Sequence, residues 1–253
     1  AAYLGKVLHV RRDHLLGIWR TRQQHLLVTE LFPFGRRQMR FELLPLLDAA
    51  TTTAQRPLIV SSVRDILVAQ DKPERESEMA DLVERYFDHV LIHGDPALIP
   101  LDRTFPLAQA IGSKLHYTGY VVDESGSRPA VDGAGQGEVI VSAGGGAVGE
   151  RLLSAAIEAR ALTPLAAAPW RILVGVSVDA ATFGRLQQNA PAGIRVERAR
   201  PDFASLLRGC LLSISQGGYN TVMEVLQAGC RGLVVPYAGC AGTEQTLRAE
   251  LLA

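Results

Sequence analysis

Apolar runs bounded by turn signals alternate with amphipathic stretches along most of the chain. Residues 25–31, 57–62 and 89–93 read as strands, with helices expected at 36–50 and 74–87. This βαβ rhythm implies a parallel sheet covered by helices. It weakens between Pro96 and Arg128, where only 115–118 suggests a short strand. From residue 138 the rhythm restarts, with strands expected at 138–143, 171–176, 194–198, 210–214 and 232–235. Helices are expected at 149–161, 179–189, 202–208, 221–228 and from Thr243 onward. Five βα units of this kind make a doubly wound domain, which binds ligands at the carboxyl ends of its strands. The expectation is α/β, with two Rossmann-like doubly wound domains: residues 1–120, a Gly-rich linker at 121–137, and residues 138–253. The first domain, with three or four strands, reads as incomplete.

At 47% hydrophobic and 21% charged, the 253 residues can bury sizeable cores. Twenty-six basic side chains balance 26 acidic ones, so the basic excess of a nucleic-acid-binding protein is missing. Cys210, Cys230 and Cys240 have neither zinc-ligand spacing nor a disulfide framework, which favours a reducing, cytoplasmic setting. No apolar run reaches membrane-spanning length. Leu4, Val7, Leu8, Leu15, Leu16, Ile18 and Trp19 recur at helix spacing among arginines. That amphipathic helix could touch a membrane surface peripherally, though packing on a sheet suits it better. The chain opens and closes inside helical patterns, so the natural polypeptide is expected to be longer at both ends.

Three clusters could carry chemistry. The first is a strand running into Gly144-Gly145-Gly146 and then a helix. Glycines there let backbone approach a phosphate, and the helix start offers free N–H groups. A plain tight turn would read the same way. The second is Ser213-Ile-Ser-Gln-Gly-Gly-Tyr-Asn-Thr-Val-Met-Glu224, where a strand ends in Gly217-Gly218 and a helix is expected near Asn220 or Thr221. Two such turns on one sheet could hold the two phosphates of a nucleotide diphosphate, with Glu224 accepting hydrogen bonds from ribose. Thr221 and Glu224 also match a capping box, and spacing alone leaves both readings open. The third is Pro236 to Gln245, where Glu244 and Gln245 could bond sugar hydroxyls or suit a helix dipole.

Together these clusters resemble the donor domain of the family 28 glycosyltransferases, whose best-known member works on the peptidoglycan lipid precursor. The likeness covers about residues 138–253, and its most specific piece is Ser215 to Gly229 followed by Pro236 and Glu244-Gln245. It implies a two-domain GT-B fold and sugar transfer from a nucleotide diphosphate sugar, with a uridine-linked donor as the site's partner, to an unknown acceptor. It also implies a donor site of Gly144, Gly145, Gly146, Gln216, Gly217, Gly218, Asn220, Thr221, Glu224, Glu244 and Gln245. Gly146 stands where many relatives carry Ser, and Gln216 where the lipid-precursor enzyme carries Arg, so the donor sugar stays unassigned.

The first half resembles, more loosely, acceptor domains of predicted glycosyltransferases through residues 29–37, Ser61 to Asp65 and His93 to Pro96. His93 could act as a base, or be bonded in a turn before Gly94. Asp65 is a second catalytic candidate, although Arg64 and Asp65 could simply pair. Glu30 is a third, with helix capping as its alternative. The family's usual base lies in a glycine-rich N-terminal loop that this chain lacks, so the chain alone is expected to be a poor catalyst. No metal or cofactor is expected: there is no Asp-x-Asp motif, Asp102 and Asp123 are unassigned, and helix starts can stabilise a leaving diphosphate. A nucleotide-sugar hydrolase or epimerase would share the fold. So would a non-catalytic nucleotide-sugar-binding partner.

Overall fold

Neighbouring strands of the first 120 residues pair in parallel, each with the next along the chain. The computed structural model describes residues 2–22, 24–68, 72–122, 133–145, 149–237 and 243–253. They fall into two units, Ala1–Tyr120 and Val121–Ala253.

In the first unit, α1 (Ala2–Thr21), β1 (Leu26–Glu30), α2 (Arg40–Thr52), β2 (Leu58–Arg64), α3 (Pro73–Tyr86), β3 (His89–His93) and β4 (Leu115–Tyr117) follow in order. The sheet runs β1-β2-β3-β4 with no reversal. Its core gathers Leu47, Ile59, Val83, Val90, Ile92 and Ile111, all fully enclosed. Pro73 opens α3, Glu74 and Glu76 follow in its first turn, and Arg85 lies in its last, as the helix dipole favours.

Two features depart from the sequence reading. The helix expected from residue 36 begins at Arg40, because Arg36 adopts left-handed backbone (φ 55°) and Arg37–Met39 form a tighter 3₁₀ turn. Leu101–Arg103 and Pro106–Lys114 are also 3₁₀ segments. Their repeat of three residues explains why the 3.6-residue rhythm fades there. The amphipathic first helix packs on α2 rather than on a sheet. Arg11 binds the enclosed Glu42 of α2, and Trp19 packs at the edge of the core.

In the second unit, β5 (Val139–Ser142), α4 (Glu150–Ala159), β6 (Trp170–Val174), α5 (Ala180–Asn189), β7 (Ile194–Arg198), α6 (Phe203–Leu207), β8 (Leu212–Ser215), α7 (Tyr219–Ala228), β9 (Gly232–Val234) and α8 (Thr243–Leu252) alternate. The order β7-β6-β5-β8-β9 means that the chain starts at the central strand, builds outward to β7, then returns to β5's other side. Every residue of β5 and β6 is buried, as expected of strands covered on both faces. Val139, Val141 and Ile172 pack with Leu153 and Ile157 of α4. Ile140 and Leu173 point the other way, onto Leu206, Leu207 and Val225. Within the expected linker, residues 123–132 lie outside the described part. Gly137 N–H bonds Gly209 O at 2.9 Å, so the linker's end belongs to the second unit.

Arg171 carries a charge into this unit. It is 2% exposed and reaches Glu138 at 2.6 Å and Glu197 at 2.7 Å. Burial pushes the Glu138 carboxyl up, but hydrogen bonds from Arg171 and Gly135 N–H outweigh it and hold the group below its ordinary 4.5.

Candidate functional site

The reversal of strand order places β5 beside β8, and a doubly wound sheet opens its ligand crevice at such a switch point. Their register runs from Val139↔Leu212 to Ser142↔Ser215, so both strands end at the same level. Ala143-Gly144-Gly145 and Gln216-Gly217-Gly218 therefore leave adjacent strand ends side by side. Gly144 N–H bonds the Ser142 hydroxyl at 3.2 Å, which tightens the first turn. Gly146, the third glycine of that cluster, lies outside the described residues.

Gly149, immediately before α4, has φ 123°. A Cβ there would stand 2.1 Å from Ala143 Cβ and 3.7 Å from Gln216 Nε2. The start of α4 thus fits tightly against both turns, and Gln216 is itself buried. Gly217 has φ 82°, and a Cβ on it would meet Val234 Cγ1 at 2.6 Å. Sequence reasoning chose Gly217 and Gly218 but passed over Gly149, whose need for glycine depends on Ala143 folding back beside it.

Helix α7 begins at Tyr219, two residues before the expected start at Thr221, with Gly218 as its N-cap and no side-chain cap. Thr221 is then the third helical residue, so the Thr221/Glu224 capping box does not form. Asn220 and Thr221 fall in the first turn, and Glu224 is half-buried in the second. The early start follows from burial: Tyr219 is 5% exposed and accepts Val121 N–H at 3.2 Å.

Glu244 lies in the first turn of α8. Gln245 Oε1 accepts Tyr237 N–H at 2.9 Å, tying the strand end after β9 to the helix. Arg248, one turn further on, is 3% exposed and donates to Gly217 O at 2.9 Å. Nothing in the local sequence signalled this residue, because the contact spans 31 positions.

The weaker catalytic candidates lie on the carboxyl-end rim of the first unit. His93 Nε2 is 2.7 Å from Ser62 Oγ, and Nδ1 is 2.8 Å from Thr118 Oγ1. Thr118 places its own hydroxyl against Gly119 O at 3.0 Å and Ile92 O at 3.3 Å. A threonine that donates to a carbonyl accepts from Nδ1–H, which leaves Nε2 to accept from Ser62. Burial pushes the His93 pKa below its ordinary 6.5. An NMR titration of the His93 ring should therefore show it neutral at pH 7 and protonating only below 6.5. Both nitrogens are engaged, so His93 holds three strands together rather than presenting a free base.

Glu30 does not cap the following helix. It faces Arg36 at 3.4 Å and Arg64 at 4.0 Å. Asp65 is buried, and its carboxylate accepts Ile66 N–H at 2.9 Å. Gly94 packs on it, where a Cβ would meet Asp65 Cβ at 2.8 Å. Asp102 lies in the middle of the 3₁₀ turn Leu101–Arg103, and Asp123 and Cys240 lie outside the described residues. Among the described residues, no group of three or more His, Cys, Asp or Glu is placed to hold a metal ion. None of the described helices is long and apolar enough to cross a membrane. A cavity of about 930 Å³ lies between the ends of α1 and α2, lined by Trp19, Arg20, Asp48 and Thr52. It shares no residue with the glycine turns.

No protein-family model and no curated protein matches the chain. Solved structures do, over almost its whole length. The spinosyn rhamnosyltransferase SpnG superposes with a TM-score of 0.60 at 19% identity, covering 99% of this chain and 63% of its own. Phytolacca americana UGT2, solved with UDP-2fluoro-glucose and pterostilbene, gives 0.56 at 15% identity, covering 95% and 63%. The calicheamicin glycosyltransferase CalG4 gives 0.54 at 16%, covering 89% and 58%. The fold is that of the GT-B glycosyltransferases. The chain spans less than two thirds of the length of each of these three structures.

Proposed function

We propose that the second unit binds the nucleotide diphosphate of a sugar donor, and that the protein to which it belongs transfers that sugar to an acceptor. The observation that carries this reading is the emergence of two glycine turns from adjacent strand ends at a switch point. Each leads to a helix start, α4 or α7, where unpaired N–H groups and the helix dipole favour an anion. Gly144, Gly145 and Gly146 would face one phosphate, and Gly217, Gly218, Asn220 and Thr221 the other.

Glu224 would meet the ribose hydroxyls, for which a carboxylate supplies two acceptors. Gln216 would brace the two turns, while Glu244 and Gln245 would meet the sugar. The Ser215 to Gly229 segment and the Glu244-Gln245 pair make family 28 the assignment we favour, with a uridine-linked donor.

Calorimetry of the chain with UDP should show binding, and Glu224→Ala should weaken it by about 1–3 kcal/mol, the loss of a charged hydrogen bond. UDP binding that Glu224→Ala leaves untouched would remove Glu224 from the site. Absence of UDP binding would remove the site.

A further inference from the structure

Arg248 is the enclosed charge that the donor reading above leaves without a task. A guanidinium stays protonated in proteins, so α8 carries this cation into the interior beside the start of α7. It donates to Gly217 O at 2.9 Å, and its Cζ lies 5.8 Å from the centre of the Tyr219 ring. A trans peptide is planar, with its C=O and N–H on opposite edges. Drawing the Gly217 oxygen onto Arg248 therefore turns the Gly218 N–H away from Arg248. That N–H has no acceptor among the described residues. A charged donor on the oxygen also polarises the peptide and strengthens its N–H as a donor.

We propose that Arg248 is a positioning residue for phosphate recognition: it fixes and polarises the Gly217–Gly218 peptide so that Gly218 N–H binds a phosphate oxygen of a nucleoside diphosphate. This rests on the donor-site reading. Gln245, three residues earlier and on the same side of α8, holds Tyr237 N–H. One helix thus secures the loops after both β8 and β9.

A double-mutant cycle tests the proposal. Arg248→Met removes the guanidinium. Gly218→Pro removes the N–H itself, at a residue whose φ of −61° and ψ of 146° suit proline and whose Cβ position is open. By calorimetry with UDP, each variant should bind roughly 10- to 100-fold more weakly than the parent, by loss of a charge-assisted hydrogen bond. The double variant should be no weaker than the worse single, because both changes remove one interaction. Wild-type affinity in Arg248→Met, or losses that multiply in the double variant, overturns the proposal. If Arg248→Met gives no cooperative melt, Arg248→Lys takes its place in the cycle. It keeps the charge, and is expected to lose less than Gly218→Pro. A parent chain that binds no UDP overturns the donor site itself, an outcome distinct from the others.

Discussion

Replacing Arg171 by Met is expected to destabilise the second unit by about 3–5 kcal/mol, because it strands two carboxylates around an enclosed position. Glu138 and Glu197 are only 16% and 25% exposed, and each is within 2.7 Å of the guanidinium. Urea unfolding at neutral pH would measure the loss. The arrangement is costly to break rather than intrinsically strong. Changing Arg171, Glu138 and Glu197 together to apolar residues of similar volume should restore most of the stability. The pH dependence follows from Glu138. Its folded pKa lies below the unfolded value near 4.5, so its contribution is complete above that pH and is lost as pH falls through the folded value. In Arg171→Met the cation nearest Glu138 is gone, and burial is opposed only by the Gly135 N–H and by Arg195. That raises its pKa, so the variant should gain stability relative to the parent as the solution is acidified.

Gly149→Ala is expected to cost about 2–4 kcal/mol, combining left-hand backbone strain with overpacking. Its Cβ would lie 2.1 Å from Ala143 Cβ on a backbone at φ 123°. Relief can come only by moving Ala143 or the start of α4, and both frame the first glycine turn. UDP binding should therefore fall below detection in a chain that still melts cooperatively. Thermal melts and calorimetry on one sample separate the two effects. Retention of parental affinity would show that α4's start plays no part in anion recognition.

Much of the fold was legible because burial here follows simple rules. Trp170 to Val174 is a continuous apolar and enclosed run, save for Arg171, and such a run reads as a strand covered on both faces. The glycine turns were legible as turns, since each follows a strand and precedes a helix. Their adjacency was not. It depends on Ser142 lying opposite Ser215, a register set by packing across a separation of 73 positions rather than by any local pattern. The same gap hid Arg248, whose partner Gly217 lies 31 residues away. It also hid the His93 chain, where Ser62 and Thr118 come from different strand ends.

Helix starts were the least legible feature. Thr221 looked like a cap because Thr-x-x-Glu is a strong local signal. Burial of the Tyr219 ring won instead and drew the first turn back to Gly218. Arg36 misled in the opposite direction, since its left-handed backbone delays α2 to Arg40. In both cases tertiary packing decided a boundary that local preference left open.

The most direct measurement is an amide NMR titration of the chain with UDP. The signals expected to move first are those of Gly144, Gly145, Gly218 and Tyr219, with Glu224 following as ribose is engaged. Shifts that gather at the cavity between α1 and α2, or none at all at saturating nucleotide, would contradict a diphosphate cradle at the β5/β8 junction.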